Sequence, residues 1–122
     1  MLYRSSAFAR QTKKRQPPVR MPRQLAAHMG RWEASRQWVV AFRGKPVRSI
    51  KVAWKATCQR AGLTDVTPHT LRHTAITWAM QRGVKLADAA GFFGVSMETL
   101  EKVYFHHHPD YQQSAVEAME GK

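Results

Sequence analysis

The chain has 122 residues, 43% of them hydrophobic and 10% aromatic, and a formal net charge of +12. That size and composition suit one small domain with a modest core and exclude a chain too polar to fold. The single cysteine, Cys58, excludes an intrachain disulfide, no apolar run is long enough to span a bilayer, and no signal-peptide h-region follows Met1.

The charge is unevenly divided. Residues 1–60 hold 15 Lys and Arg against one acid, Glu33, a net of +14, whereas residues 61–122 hold 5 against 7 acids, a net of −2. A half this basic favours a polyanion, because each phosphate contact releases condensed counterions. No basic amphipathic helix of the membrane-surface type stands out, so nucleic acid rather than an anionic membrane is the expected partner. The lone thiol fits a reducing cytoplasm.

Taken in order, Met1 to Phe8 alternates loosely and could form a short strand. QTKKRQPPVRMP, Gln11 to Pro22, reads as a hairpin turn entering an edge strand, because Pro17 and Pro18 are tolerated only at turns or edges. A helix is expected from Pro22 to about Ser35, with Leu25, Met29 and Trp32 as its apolar stripe. QWVVAF, Gln37 to Phe42, is β-rich and is closed by the turn signal RGKP. Ser49 is placed to cap a helix running to Gly62, with Ile50, Val52, Ala53 and Trp54 on its buried side.

After the loop Thr64 to Pro68, a helix is expected from His69 to Arg82, stopped by Gly83, with Leu71, Ala75, Trp78, Ala79 and Met80 as its apolar set. Leu86 to Phe93 reads as a short helix ended by Gly94. Ser96 then caps a helix through Tyr104, and Pro109 starts a terminal one. The fold class is therefore mainly α with a small antiparallel β-sheet near the N-terminus (α+β). Three stretches make up one domain: a hairpin region over 1–22, helix-strand-helix over 23–65, and a helical segment with a tail over 66–122.

PHTLRHTAITW, Pro68 to Trp78, concentrates the chemistry. His69 and Arg72 are three residues apart, on one helical face, and Tyr104 follows Arg72 by 32 residues. Arginine can grip two phosphate oxygens, histidine can handle a proton near neutral pH, and a tyrosine hydroxyl can form a covalent link. Together they are what metal-free attack on a phosphodiester needs.

HTLRHTAITWAMQRGV followed by LADAAGFFGVSMETLEKVY resembles the C-terminal catalytic segment of the tyrosine recombinases, the phage-integrase family. That family carries a His-x-Leu-Arg-His-Thr box, then a Leu-Gly-His-Ser-like box, then a tyrosine nine residues after the His or Trp of the second box. Here FGVS holds the second box, and Val95 precedes Tyr104 by nine. The resemblance implies that Tyr104 attacks a phosphate of double-stranded DNA to form a 3′-phosphotyrosyl link, with Arg72 and His69 stabilising the phosphorane-like charge. It also implies a lysine on a hairpin turn as proton donor to the 5′-oxygen. Lys13 and Lys14 both sit on the expected turn; spacing to Pro22 favours Lys14, and the Thr-Lys context favours Lys13. No metal or nucleotide cofactor is implied, because the bond energy is kept in the protein–DNA link. The implied assembly is a synaptic homotetramer, the implied setting the nucleoid of a bacterium or of a phage host, and no membrane is involved.

The sequence departs from this pattern twice. Val95 stands where the family has His or Trp and can neither donate a hydrogen bond nor take a proton, which implies either weaker phosphate stabilisation or replacement by another donor such as His106 or His107. The family's first catalytic arginine has no matching context before Gln11, so the chain is expected to be the later part of a catalytic domain, and whether it cleaves DNA by itself stays open at this point.

Other readings compete. LADAAGFFGVSMETLEKVY also fits a non-catalytic helix-turn-helix DNA-binding protein, but Met97 to Tyr104 carries Glu98 and Glu101 against Lys102, the wrong sign for a major-groove reader. His106 to His108 invite a metal, yet consecutive histidines cannot all face one ion from a regular helix or strand. Cys58 lies mid-helix without a histidine partner and is expected to be inert.

Overall fold

The computed structural model describes residues 18–32 and 37–121. These fall into two compact units, one from Arg20 to Pro68 and one from His69 onward that includes Val19. Six α-helices and one two-stranded antiparallel sheet are present among the described residues. None of the described helices is long and apolar enough to cross a membrane.

In the first unit, α1 spans Arg23–Arg31 and follows Pro22, whose fixed φ of −59° leads the chain into the first turn. Leu25 and Met29 are half-buried along it, as their four-residue spacing requires, while Trp32 lies beyond its end and stays 42% exposed. β1 (Ala41–Phe42) pairs with β2 (Lys45–Pro46), Ala41 facing Pro46 and Phe42 facing Lys45. The two loop residues Arg43 and Gly44 both have positive φ, 50° and 74°. Such a loop matches the right-handed twist of the strands it joins. The Arg43 guanidinium sits 5.2 Å from the centre of the Phe42 ring, so the turn also covers an exposed aromatic.

The strand expected over Gln37 to Phe42 is thus only its last two residues, and RGKP does more than close it: Lys45 and Pro46 form the returning strand. The hairpin expected over Gln11 to Pro22 lies mostly outside the described residues. Of it, Val19 is buried and forms an isolated β-bridge.

α2 runs Lys51–Arg60. It starts one residue later than Ser49 suggested, with Ile50 at the cap position, although the Ser49 hydroxyl still accepts the Lys51 N–H at 3.4 Å. Its expected inward face is corrected: Val52 is 85% and Ile50 48% exposed. The half-buried residues are Trp54, Ala56 and Cys58, held against the following loop, where Trp54 Nε1 donates to the Val66 carbonyl at 2.8 Å. Gly62, at φ 66°, ends the helix, with Leu63 N–H bonded to Cys58 O and Gly62 N–H to Gln59 O. These two bonds satisfy carbonyls the helix leaves open.

The second unit is a short-helix assembly. α3 is Pro68–Gln81, α4 Leu86–Phe93, α5 Met97–Val103, then a 3₁₀ turn Phe105–His107 and α6 Gln113–Met119. Its core is Ile76 and Met80 of α3, Ala89 of α4, Leu100 of α5 and Tyr104, with Ala79, Val84, Leu86, Ala90, Phe93 and Val95 packed around them. The apolar set expected for α3 is corrected in part: Met80 is buried and Ala79 packs against the core, but Ile76 was not among it. Ile76 and Met80 are the buried pair, and Leu71 and Trp78 are each 55% exposed. α6 starts four residues after Pro109, because Gln112 takes a left-handed φ of 59° that no helix interior permits.

Candidate active site

α3 carries its polar and apolar groups on one continuous face. His69, His73, Ile76 and Met80 recur at helical spacing, so a stripe that is buried at its far end emerges as imidazoles at its start. The second half of that stripe anchors the helix in the core, and the first half is thereby held still. The rings of His69 and His73 meet edge to face, 4.7 Å between centres at 84°.

Tyr104 arrives from the other direction. Ser96 caps α5, its hydroxyl accepting the Thr99 N–H at 3.1 Å, and Leu100 pins the helix into the core. Tyr104 closes α5, its N–H bonded to Leu100 O at 2.9 Å. Tyr104 is 6% exposed and its hydroxyl is hydrogen-bonded to His73 Nδ1. The two rings lie 5.9 Å apart and nearly parallel, at 28°. Either the phenol donates to a neutral imidazole, or a protonated ring donates to the phenol oxygen.

Arg72 points to α4. Its Nη2 donates to the carbonyl of Phe93, the last residue of α4, at 2.5 Å. Carbonyls at a helix C-terminus lack partners and carry the negative end of the helix dipole, so a guanidinium is well suited there. One N–H of five is engaged in this bond.

Of the residues singled out from sequence, His69, Arg72 and Tyr104 thus lie in one unit, linked through His73 and the end of α4. Lys13 and Lys14 fall outside the described residues. Val95 is half-buried against the core, an apolar role that suits its side chain. His106 and His107 are exposed and lie against each other, 3.9 Å between ring centres. His108 is buried, its Nδ1 accepting the Asp110 N–H at 3.1 Å and its ring 5.1 Å from that of Phe105. Among the described residues, no group of three or more His, Cys, Asp or Glu is placed to hold a metal ion. Cys58 is half-buried, its thiol 3.8 Å from the Val66 carbonyl.

α4 and α5 follow one another across a short turn in which Gly94 takes φ 63°. The second helix offers little to a base edge: Lys102 is engaged by Glu98 at 2.6 Å, both 72% exposed, and Leu100 faces inward.

Sequence reasoning missed His73 as a partner of the tyrosine. Its signal was present: four residues after His69 and three before Ile76, it stands on the line joining the polar to the buried part of α3.

Comparison with known proteins gives a consistent answer. The model of the phage integrase family matches residues 6–110. The tyrosine recombinase XerC of Staphylococcus epidermidis is 30% identical over 117 residues, covering 84% of this chain and 37% of that protein. The tyrosine recombinase XerD of Corynebacterium glutamicum is 38% identical over 68 residues, 52% of this chain and 22% of that protein. The integrase of Salmonella phage P22 is 34% identical over 59 residues, 48% of this chain and 15% of that protein. The chain therefore spans about a third of the length of the XerC relative. No solved structure matches it significantly. With the family model covering most of its length, the chain belongs to the phage integrase family, the tyrosine recombinases.

Proposed function

We propose that this chain takes part in site-specific recombination of double-stranded DNA, with Tyr104 as the nucleophile. Its phenol oxygen attacks a backbone phosphorus, the bond to the 5′-oxygen breaks, and a 3′-phosphotyrosyl link forms. Arg72 and His69 stabilise the charge on the non-bridging oxygens, and Lys13 or Lys14 gives the 5′-oxygen its proton. The reverse attack by a 5′-hydroxyl from another strand rejoins the DNA. The relatives named tyrosine recombinase and integrase support this reading, as does the basic first half of the chain. A homotetramer holding two duplexes is the proposed working assembly.

The observation that carries the reading is the bond between the Tyr104 hydroxyl and His73, one helical turn from His69 and next in sequence to Arg72. It sets a phenol beside two imidazoles and the helix that bears a guanidinium. The test uses a library of nicked duplexes of random sequence, followed by denaturing electrophoresis and mass spectrometry of the DNA-linked peptide. The wild-type chain is expected to give a covalent adduct on Tyr104. Tyr104→Phe is expected to give none while keeping its DNA affinity within about twofold, since one hydroxyl adds little to a phosphate-dominated interface. An equal adduct from the mutant removes Tyr104 as nucleophile. A helix-turn-helix repressor would give no adduct from either protein.

A further inference from the structure

We infer that His73, not His69, is the group that takes the proton from Tyr104 when the phenol attacks, and that returns it when the strand is rejoined. This rests on the recombinase reading above and adds a residue to it.

Three observations carry it. The Tyr104 hydroxyl bonds to His73 Nδ1. The tyrosine is 6% exposed whereas His73 is exposed, so the imidazole stands between a buried phenol and solvent. His69 contacts the tyrosine only at second hand, by its edge-to-face contact with the His73 ring. A base must lie within hydrogen-bond reach of the proton it removes, and His73 meets that condition.

The step balances. The His73 Nδ1 lone pair takes the phenol proton as the O–H bond breaks, leaving a tyrosinate beside an imidazolium. The tyrosinate oxygen bonds to phosphorus, and the electron pair of the breaking bond goes to the 5′-oxygen, which is protonated by Lys13 or Lys14. In rejoining, the 5′-hydroxyl attacks, tyrosinate leaves, and the imidazolium returns its proton to it. The core contacts of Ile76 and Met80 hold α3, so His73 stays placed for both directions.

The test has two arms on the full chain. In the first, ¹⁵N-histidine-labelled protein without DNA is compared with its Tyr104→Phe variant. The His73 Nδ1 resonance, assigned by its loss in His73→Gln, is expected to move by several parts per million. No movement overturns the inference. In the second, adduct formation on nicked DNA is timed for wild type and His73→Gln, each with tyrosine or with the more acidic 3,5-difluorotyrosine at position 104. Gln can keep a hydrogen bond but cannot take the proton. His73→Gln is expected to slow the adduct by about 100-fold, the usual scale of general-base help, and difluorotyrosine to recover at least about tenfold in that background and much less in wild type. A His73→Gln rate equal to wild type, or the same fluorine effect in both backgrounds, overturns the role of His73 alone. A wild-type chain that forms no adduct on any DNA overturns the recombinase reading itself.

Discussion

Arg72 has two separable tasks. One is structural: its guanidinium satisfies the Phe93 carbonyl at the end of α4. The other is proposed: gripping phosphate oxygens with its remaining donors. The two are told apart by substitution. Arg72→Ala removes a charged hydrogen bond at a half-buried site and is expected to cost about 1.5 kcal/mol in urea denaturation. Arg72→Lys keeps a cation near the helix end, so its stability is expected within about 0.5 kcal/mol of wild type. Its adduct rate is nonetheless expected to fall well over tenfold, because an ammonium cannot present two parallel N–H groups. Equal adduct rates for Arg72→Lys and wild type would remove the bidentate grip. At this scale, the residue types and spacing of His69, Arg72 and Tyr104 were legible, because each motif position has a chemical reason. For His73 the helical line to the core was legible but its partner was not, because spacing along α3 gives no hint of which side chain it will meet 31 residues away. That pairing depends on where the end of α5 lands on α3, which is a matter of tertiary packing.

The elements follow the same division between local and non-local causes. Helix ends were readable: Gly62, Gly83 and Gly94 all adopt positive φ, 66°, 71° and 63°, and each ends a helix where a residue with a side chain would be strained. The Ser96 cap was equally local, its hydroxyl bonding both the Thr99 N–H and the Thr99 hydroxyl. Ser96→Ala is expected to cost about 1 kcal/mol and, by fraying the first turn of α5, to shorten the hydrogen-exchange protection of the Thr99 and Leu100 amides. Unchanged protection would mean that Leu100 alone holds α5. Helix faces were harder to read. α3 has Leu71, Ala75, Ile76, Trp78, Ala79 and Met80 spread round much of its circumference, so periodicity could not decide between the face of Leu71 and Trp78 and that of Ile76 and Met80. The neighbours α4 and α5 chose the second. Val52 of α2, 85% exposed, is the same lesson in a helix whose apolar positions Val52, Ala53, Trp54, Ala56 and Cys58 also spread round it.

For the whole molecule, the division of charge is the property with the widest reach. A chain with +14 over residues 1–60 and −2 over residues 61–122 should bind DNA chiefly through its first half, with the chemistry carried on its nearly neutral second half. Binding to random-sequence duplex is therefore expected to weaken steeply with salt. Five phosphate contacts would give a log–log slope of about −4.5, measured by fluorescence anisotropy between low and moderate potassium chloride. A slope near zero would take DNA away as the partner of the basic half. Fold class was legible here because mainly helical patterning and short connections leave few alternatives. The size of the sheet was not, since two-residue strands carry too little pattern to be delimited.

Tyr104 is also one of the five buried residues of its core. In the proposed reaction phosphorus must reach the phenol while its ring keeps the core contacts and the His73 bond, and a ring that left them would give up about 3–5 kcal/mol. Under that proposal, anything that draws the ring deeper into the interior is expected to raise the melting point and slow strand exchange together.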